Sequence, residues 1–532
     1  MCQYCIVKVV ILDGYVDEPS VLGVPPYISP YIRELAGVCK ELEVECEYKS
    51  IDMWRKGERI EGDILVLLGG AIVPGKYLRT YPASLREIRE ILSSFKGLKI
   101  FGGAIAKFEK PNVPADYLAL GDVDALLYDI LTENFTHHRL HNLNKWNRWL
   151  KLGTYIVKEH PDYPEPLIVE IETFRGCSRY LSGGCSFCVE PLYGKPMFRE
   201  IDDIVEEVRI LSNLGVRNFR IGGQTCIYSY KAYGVGKQEI PQPNIHALED
   251  LFSKLNKIPH RVLHVDNANP AVLASYPEEA RKITEILVKY TTPGNVVAFG
   301  MESADPAVIK ANNLNSTPEM VMNAIRIINE IGAVRGENGM PKLLPGLNFI
   351  CGLWGESKDT YAMNLKFLKE VLAKGYLLRR INIRQVASVR NKFKLKYRHE
   401  CWKFRREVRE KIEKIMLKRI VPMGTVLKDV YLEIHRGNYT FGRQPGSYPL
   451  VVVLPYFSEV GKYVNVKVVG YGERSLTALE YPLNVNSASF STLKSIPGMG
   501  EKKAAEIIRK RPFKNMKSLQ EIFPDAEKYF TL

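Results

Sequence analysis

Strand and helix signals that alternate through two long stretches, a change to short glycine-punctuated strands after residue 420, and a return to helix at the C-terminal end predict a multidomain α/β protein. The expected order is an N-terminal Rossmann-like domain, a partial (βα)6 barrel, a small β-barrel and a helix-hairpin-helix. At 532 residues the chain exceeds what one hydrophobic core fills.

Residues 1–130 carry strand signals at 6–12, 64–68 and 99–101 and a helical stretch around 31–42. Gly69-Gly70 and Gly102-Gly103 follow two of these strands, where an open parallel sheet turns over and binds ligands. Residues 131–166, rich in His, Asn, Lys and Trp and then broken by Pro161, Pro164 and Pro166, read as a linker. Between 167 and 387 lie six strand signals, at 167–172, 218–221, 261–265, 296–299, 347–351 and 381–386. Amphipathic helices separate them, one carrying Ile204, Val205, Val208 and Leu211. Six βα units predict a site at the C-terminal ends of the strands. Residues 388–420 read as a strongly basic helical linker, 421–483 as the β-barrel and 484–532 as the helical hairpin.

A hydrophobic fraction of 46% and a charged fraction of 25% are those of a folded globular protein. The net charge of +14 fits a polyanionic partner or merely a basic surface. Ten cysteines are too sparse for a disulfide scaffold, so a reducing cytoplasm is the expected compartment. The apolar run after Tyr4 is too short and too β-branched for a signal peptide, and none approaches the roughly 20 residues of a membrane span.

Three of those cysteines stand in Arg175-Gly-Cys177-x7-Cys185-Ser-Phe187-Cys188, directly after the first strand signal of the second stretch. Structural zinc wants a fourth ligand at comparable spacing, which is missing nearby. Ordinary buried cysteines would not gather with Gly176, Gly183 and Gly184, which let backbone wrap a ligand. Three thiolates suit a [4Fe-4S] cubane with one iron left open.

With the strand before them and the six βα units behind, these residues resemble the radical S-adenosylmethionine (radical SAM) superfamily, whose usual spacing is C-x3-C-x2-C. Gly222-Gly223-Gln224 resembles the superfamily's Gly-Gly-Glu, with an amide in place of the acid. Gly300-Met-Glu302-Ser303 and Ile350-Cys-Gly352-Leu-Trp-Gly355-Glu356-Ser357 resemble its ribose- and adenine-side motifs, especially those of methylthiotransferase-like members. The resemblance implies Cys177, Cys185 and Cys188 as cluster ligands. It implies Phe187, Gly222, Gly223, Gln224, Glu302, Ser303 and Gly352 on S-adenosylmethionine, and an electron donor as partner. Cys226 and Cys351 either face the cavity or fill the core.

Residues 1–130 also resemble cobalamin-binding-like domains, although the Asp-x-His-x-x-Gly motif is missing. Cobalamin is therefore a candidate second cofactor, and a ligand-free lid the alternative. Cys2 and Cys5 are either a second cluster site or incidental, and His137, His138 and His141 either a metal site or a solvated linker. Residues 421–483 resemble a TRAM domain, a barrel appended to RNA-modifying enzymes. Ile496-Pro-Gly498-Met-Gly500-Glu-Lys502-Lys503 is a helix-hairpin-helix signature that presents a helix N-terminus and lysines to phosphate. The domain order resembles archaeal-type radical SAM proteins. The leading expectation is modification of RNA, tRNA above all, by methylthiolation or methylation. The alternatives are a cobalamin-dependent methylase of a protein or small molecule, and a redox-sensing nucleic-acid-binding iron-sulfur protein.

Overall fold

The strand Lys8–Asp13 (β1) is buried along both faces, as the central strand of a parallel sheet must be. A computed structural model describes residues 7–16, 23–70, 77–134, 142–388 and 390–532. Cys2, Cys5, His137, His138 and His141 lie outside the described residues. β1 pairs in parallel with β3 (Glu45–Ser50) and β4 (Ile64–Leu68), and β5 (Leu98–Gly102) and β6 (Tyr117–Leu118) extend the sheet beyond β4. The order β3-β1-β4-β5-β6 reverses between β1 and β4, a topological switch point whose crevice lies at the carboxyl ends. The intervening β2 (Tyr27–Ile28) leaves this sheet and pairs with the next domain's first strand.

That strand is β7 (Ile168–Glu172). A short antiparallel pair, β8 (Phe174–Arg175) and β9 (Met197–Phe198), closes the neck of the cysteine loop. β10 (Asn218–Gly222), β11 (Val262–Val265), β12 (Asn295–Glu302), β13 (Leu343–Cys351) and β14 (Arg380–Gln385) follow the expected order. They form two parallel sheets, β11-β10-β7-β2 and β12-β13-β14, joined by a bridge between Ala268 and Phe299. The barrel is therefore open, with β2 and β14 as its unpaired edges.

Two linkers expected from sequence are packed structure. The helix Leu143–Leu152 and the 3-10 turn Gly153–Glu159 lie on the helix Pro30–Glu41, burying Trp146, Trp149 and Leu150. Gly37 and Gly153 permit the approach, because a Cβ on either would overlap backbone of the other segment. The apolar stripe at 146, 149 and 150 has helical spacing, and the polar residues between its members had disguised it. Buried ion pairs then bind the N-terminal domain to the barrel: Arg33 to Glu207, and Arg175 to Glu34 and Asp122, while Glu172 of β7 holds Arg175 from the barrel side. The basic stretch is helical only from Arg398, as Arg398–Val408, a π-helical turn Arg409–Glu413, and Lys414–Ile420.

β15 (Val426–Arg436), β16 (Tyr439–Arg443), β17 (Val451–Leu454), β18 (Tyr463–Tyr471) and β19 (Ser475–Glu480) close a barrel in the order β15-β16-β17-β19-β18. Its 444–450 loop plugs the larger barrel. Tyr27 Oη donates to Gly446 O, Ser447 N–H to His264 Nδ1 at 3.0 Å and Tyr448 Oη to Asp266 Oδ2 at 2.7 Å. Burial pushes the His264 imidazole down to about 4, which keeps it neutral and able to accept.

Helices Phe490–Lys494 and Gly500–Lys510 flank the C-terminal hairpin, where Gly498 and Gly500 take φ of +79° and +67°. Lys502 is exposed, and Lys503 Nζ donates to Gly498 O at 3.2 Å. Among the described residues no helix is long and apolar enough to cross a membrane.

Candidate active site

The seven residues between Cys177 and Cys185 fold into a 3-10 turn, Ser178–Ser182, which Gly183 ends at φ +78°. The extra length brings Arg179 back over the loop, where its guanidinium donates to Cys185 Sγ at 3.1 Å. Gly176 and Gly184 also adopt positive φ, so the backbone wraps as their clustering requires.

A residue with no cysteine near it in sequence clamps this loop. Arg390 donates to the carbonyls of Gly183, Cys185 and Cys188, and its neighbour Asn391 donates to Ser186 O. Ser186 N–H and Asn313 Nδ2 complete the anchoring, bonding Asn312 O and Gly184 O at 3.0 Å each. In sequence Arg390 merely opens a charge run; only the chain's return over the loop gives it this role. Arg390→Ala is expected to leave the fold intact and lower iron retention severalfold after cluster reconstitution, with Arg390→Lys recovering only part because a compact, strongly hydrated ammonium does not reproduce the planar guanidinium.

Burial pushes the Cys177 thiol up to about 12 and those of Cys185 and Cys188 upward, and the negative charge of neighbouring cysteines adds to the shift at Cys177 and Cys188. Three thiolates in mutual electrostatic reach need a cationic group to stabilise them, which fits an iron-sulfur cluster. No three Cys, His, Asp or Glu among the described residues converge as on a single metal ion. A cubane makes no such demand, since each thiolate takes a different corner.

Phe187 packs with Ile350, Leu353, Val386 and Phe393, which seats the last two cysteines on the ends of β13 and β14. Gly352, at φ +96°, lies beneath Val386 and donates its N–H to Glu356 Oε1 at 2.7 Å. Glu302 ends β12 at φ +61°, a strained conformation for a side-chain-bearing residue. Burial pushes its carboxyl up to about 8, Arg384 draws it back, and its charge reaches Cys185.

Gln224 and Ser303 differ from expectation. The Gln224 amide donates to Ile221 O and Asp266 O at 3.0 Å each and accepts from Thr173 Oγ1 at 3.2 Å, so this fully buried side chain ties strand ends together. An amide can supply donors and an acceptor at once, as a carboxylate there could not. Ser303 is buried, with Asp305 N–H donating to its Oγ and Asn364 beside it. Gly222 and Gly223 pack against Glu170 and Glu172, where a Cβ would collide. Cys226 and Cys351 are buried, although Cys226 also borders a cavity of about 30 Å³ beside Cys177.

The model of the Radical SAM superfamily matches residues 171–368, and that of the helix-hairpin-helix motif matches 481–523. An uncharacterized protein of Methanocaldococcus jannaschii is 45% identical over 507 residues, covering 88% of this chain and 92% of the relative. The chain belongs to the radical SAM superfamily. A tRNA-2-methylthio-N(6)-dimethylallyladenosine synthase of Buchnera aphidicola is 22% identical over 334 residues, 62% of this chain and 65% of that protein. Among solved structures, the radical S-adenosylmethionine methyltransferase TsrM of Kitasatospora setae, with cobalamin and a [4Fe-4S] cluster bound, is 12% identical. It covers 71% of this chain and 72% of its own with a TM-score of 0.46.

As a radical SAM enzyme the protein cleaves S-adenosylmethionine, and Cys177, Cys185 and Cys188 are the residues that would hold the cluster supplying that chemistry. Its own residues hold that loop: Arg390 and Asn391 anchor its carbonyls, and Phe187 packs it against Leu353 and Val386.

Proposed function

We propose that the enzyme is a cobalamin-using radical methylase. The observation that carries this reading is the contact between the carboxyl side of the N-terminal sheet and the neck of the cysteine loop. Asp122, at the carboxyl side of the N-terminal sheet, pairs with Arg175 at 3.1 Å, two residues before Cys177. Ligands of a sheet with this strand order sit outside the carboxyl ends of the strands at the switch point, and Asp122 lies on that same carboxyl side, after the edge strand β6. At the switch point Asp13 ends β1, its carboxylate accepting from Tyr15 N–H at 2.8 Å and Tyr48 Oη at 3.2 Å. Residues 1–134 contain no histidine.

Methylation of a C–H group balances as RH plus two S-adenosylmethionine and two electrons from an external donor. The products are R–CH3, methionine, 5′-deoxyadenosine and S-adenosylhomocysteine. Protein reconstituted anaerobically with iron, sulfide and hydroxocobalamin is expected to retain about one cobalamin per chain through gel filtration, and under reductant to form both nucleoside products. A cluster-replete protein that retains no cobalamin would overturn the reading. Methylthiolation of RNA without cobalamin is the second reading, favoured by similarity to the Buchnera synthase.

A further inference from the structure

The open seam of the large barrel leads into a cleft of about 690 Å³. One wall is β14 along most of its length, from Arg380 to Arg384, with Leu378 and Arg379 ahead of it; Val24, Pro25 and Tyr27 contribute the opposite edge. The π-helical turn carrying Arg409 and the small barrel complete the lining. Eight arginines face two glutamates, Glu413 and Glu473, in this lining.

Two carboxylates are fewer than the arginines of the cleft: Glu413 lies in electrostatic reach of Arg379, Arg409 and Arg474, and Arg443 pairs with Glu433 outside the lining. Arg409 makes no ion pair among the described residues, and Arg474 reaches Glu413 only at 3.8 Å. Burial and then the charge of Arg380 push Arg379 down to about 10 although Glu413 draws it back up, as expected where cations outnumber anions. The small barrel contributes Phe441 and Arg443 from β16, Val451 from β17, and 473–475 from the β18–β19 connection. In five-stranded barrels of the oligonucleotide-binding type, the face of the second and third strands and the connection between the fourth and fifth are the surfaces that bind oligonucleotides. Here those surfaces turn toward the seam. Arg384, at the end of the β14 wall, lies in electrostatic reach of Glu302, whose charge in turn reaches Cys185.

We infer that this arginine-lined cleft is a binding groove for a single-stranded polynucleotide, with phosphodiesters on the arginines and bases against Tyr77, Phe441 and Tyr448. The groove runs along the barrel seam, with Arg384 at the end of its β14 wall. It thereby names the substrate class of the proposed methylase and rests on that reading only for what happens to the strand, not for its binding. Arginine suits this task, offering planar paired donors to phosphate and a face for stacking.

The test uses the full chain with its cluster, no reductant and no added cobalamin, so the outcome is independent of the cofactor reading. Binding of a fluorescent twelve-nucleotide oligouridylate is followed by anisotropy between 50 and 200 mM KCl. The exposed set Arg409→Glu, Arg436→Glu and Arg474→Glu is expected to weaken binding more than tenfold. It should lower the salt slope by about 2, at roughly 0.7 for each phosphate of a single strand that is no longer neutralised. Lys502→Glu with Lys503→Glu in the hairpin should cost less. Wild-type affinity and slope in the arginine variant would overturn the proposal, as would uridine monophosphate competing as well as the oligonucleotide. Should the triple variant fold poorly, photocrosslinking of 4-thiouridine RNA to the unmodified chain decides. Adducts on Tyr77, Phe441 or Tyr448 support the groove, and adducts confined to residues 484–532 refute it.

Discussion

Replacing any one of Cys177, Cys185 or Cys188 with alanine is expected to abolish cluster assembly and drop 5′-deoxyadenosine formation to background, whereas Cys226→Ala retains both. The contrast follows from placement. Cys177, Cys185 and Cys188 share one wrapped loop, with burial and mutual charge pushing their thiols upward, so each is stabilised as a thiolate by the same cationic group. Cys226 borders the same small cavity as Cys177, but its Sγ accepts Asn269 N–H at 3.2 Å and its thiol is buried in the core. Iron and sulfide content after anaerobic reconstitution, with product measured by chromatography, separates the two groups. Equal iron loss in all four variants would show that the loop merely collapses, and unchanged iron in any of the first three would remove that residue from the ligand set.

Arg220→Met is expected to be the most destabilising single change outside the cluster loop, by about 3–5 kcal/mol, the usual consequence of stripping one partner from a buried charge network. Arg220 is fully buried on β10 and pairs with Glu170 on β7 and Asp266 after β11. Tyr448 of the plugging loop lies at 3.4 Å from its guanidinium and donates to Asp266. Without Arg220, two carboxylates face each other in the barrel and the plug loses its seat. Burial already pushes Glu170 up to about 7 despite Arg220 beside it, and removing the cation raises it further. A carboxyl with a raised folded pKa is stabilising below its unfolded value and loses that contribution as pH rises through the folded value. The deficit should therefore be larger at pH 8 than at pH 6. Thermal unfolding at both pH values checks the sign, and Tyr448→Phe, which deletes only the hydroxyl, should cost about 0.5–1.5 kcal/mol.

The six strands of the open barrel and the cysteine loop at the end of the first were legible because periodicity, glycines and thiol spacing are local properties. The same holds for three of the small barrel's five strands and for the glycine hairpin near the C-terminus. Less legible was anything whose partner is distant in sequence. Residues 143–159 read as linker because the Trp146–Trp149–Leu150 stripe is short and surrounded by polar residues; its burial depends on the helix Pro30–Glu41, a hundred residues earlier. Gln224 stood in a motif whose acid faces a ligand, yet three strand-end bonds claim its amide.

What the sequence alone determined is the chemistry: three thiols at cluster spacing, the order of βα units that carries them, and an excess of positive charge. Only the tertiary structure decided where that charge acts. Arg390 returns to hold the cysteine loop, Arg220 locks the plug, and the arginines of β14, the π-helical turn and the small barrel meet across one seam. The physical reason is that a thiol's ligand chemistry belongs to its own loop, whereas a guanidinium acts through whatever carbonyl, carboxylate or open cleft the fold brings to it.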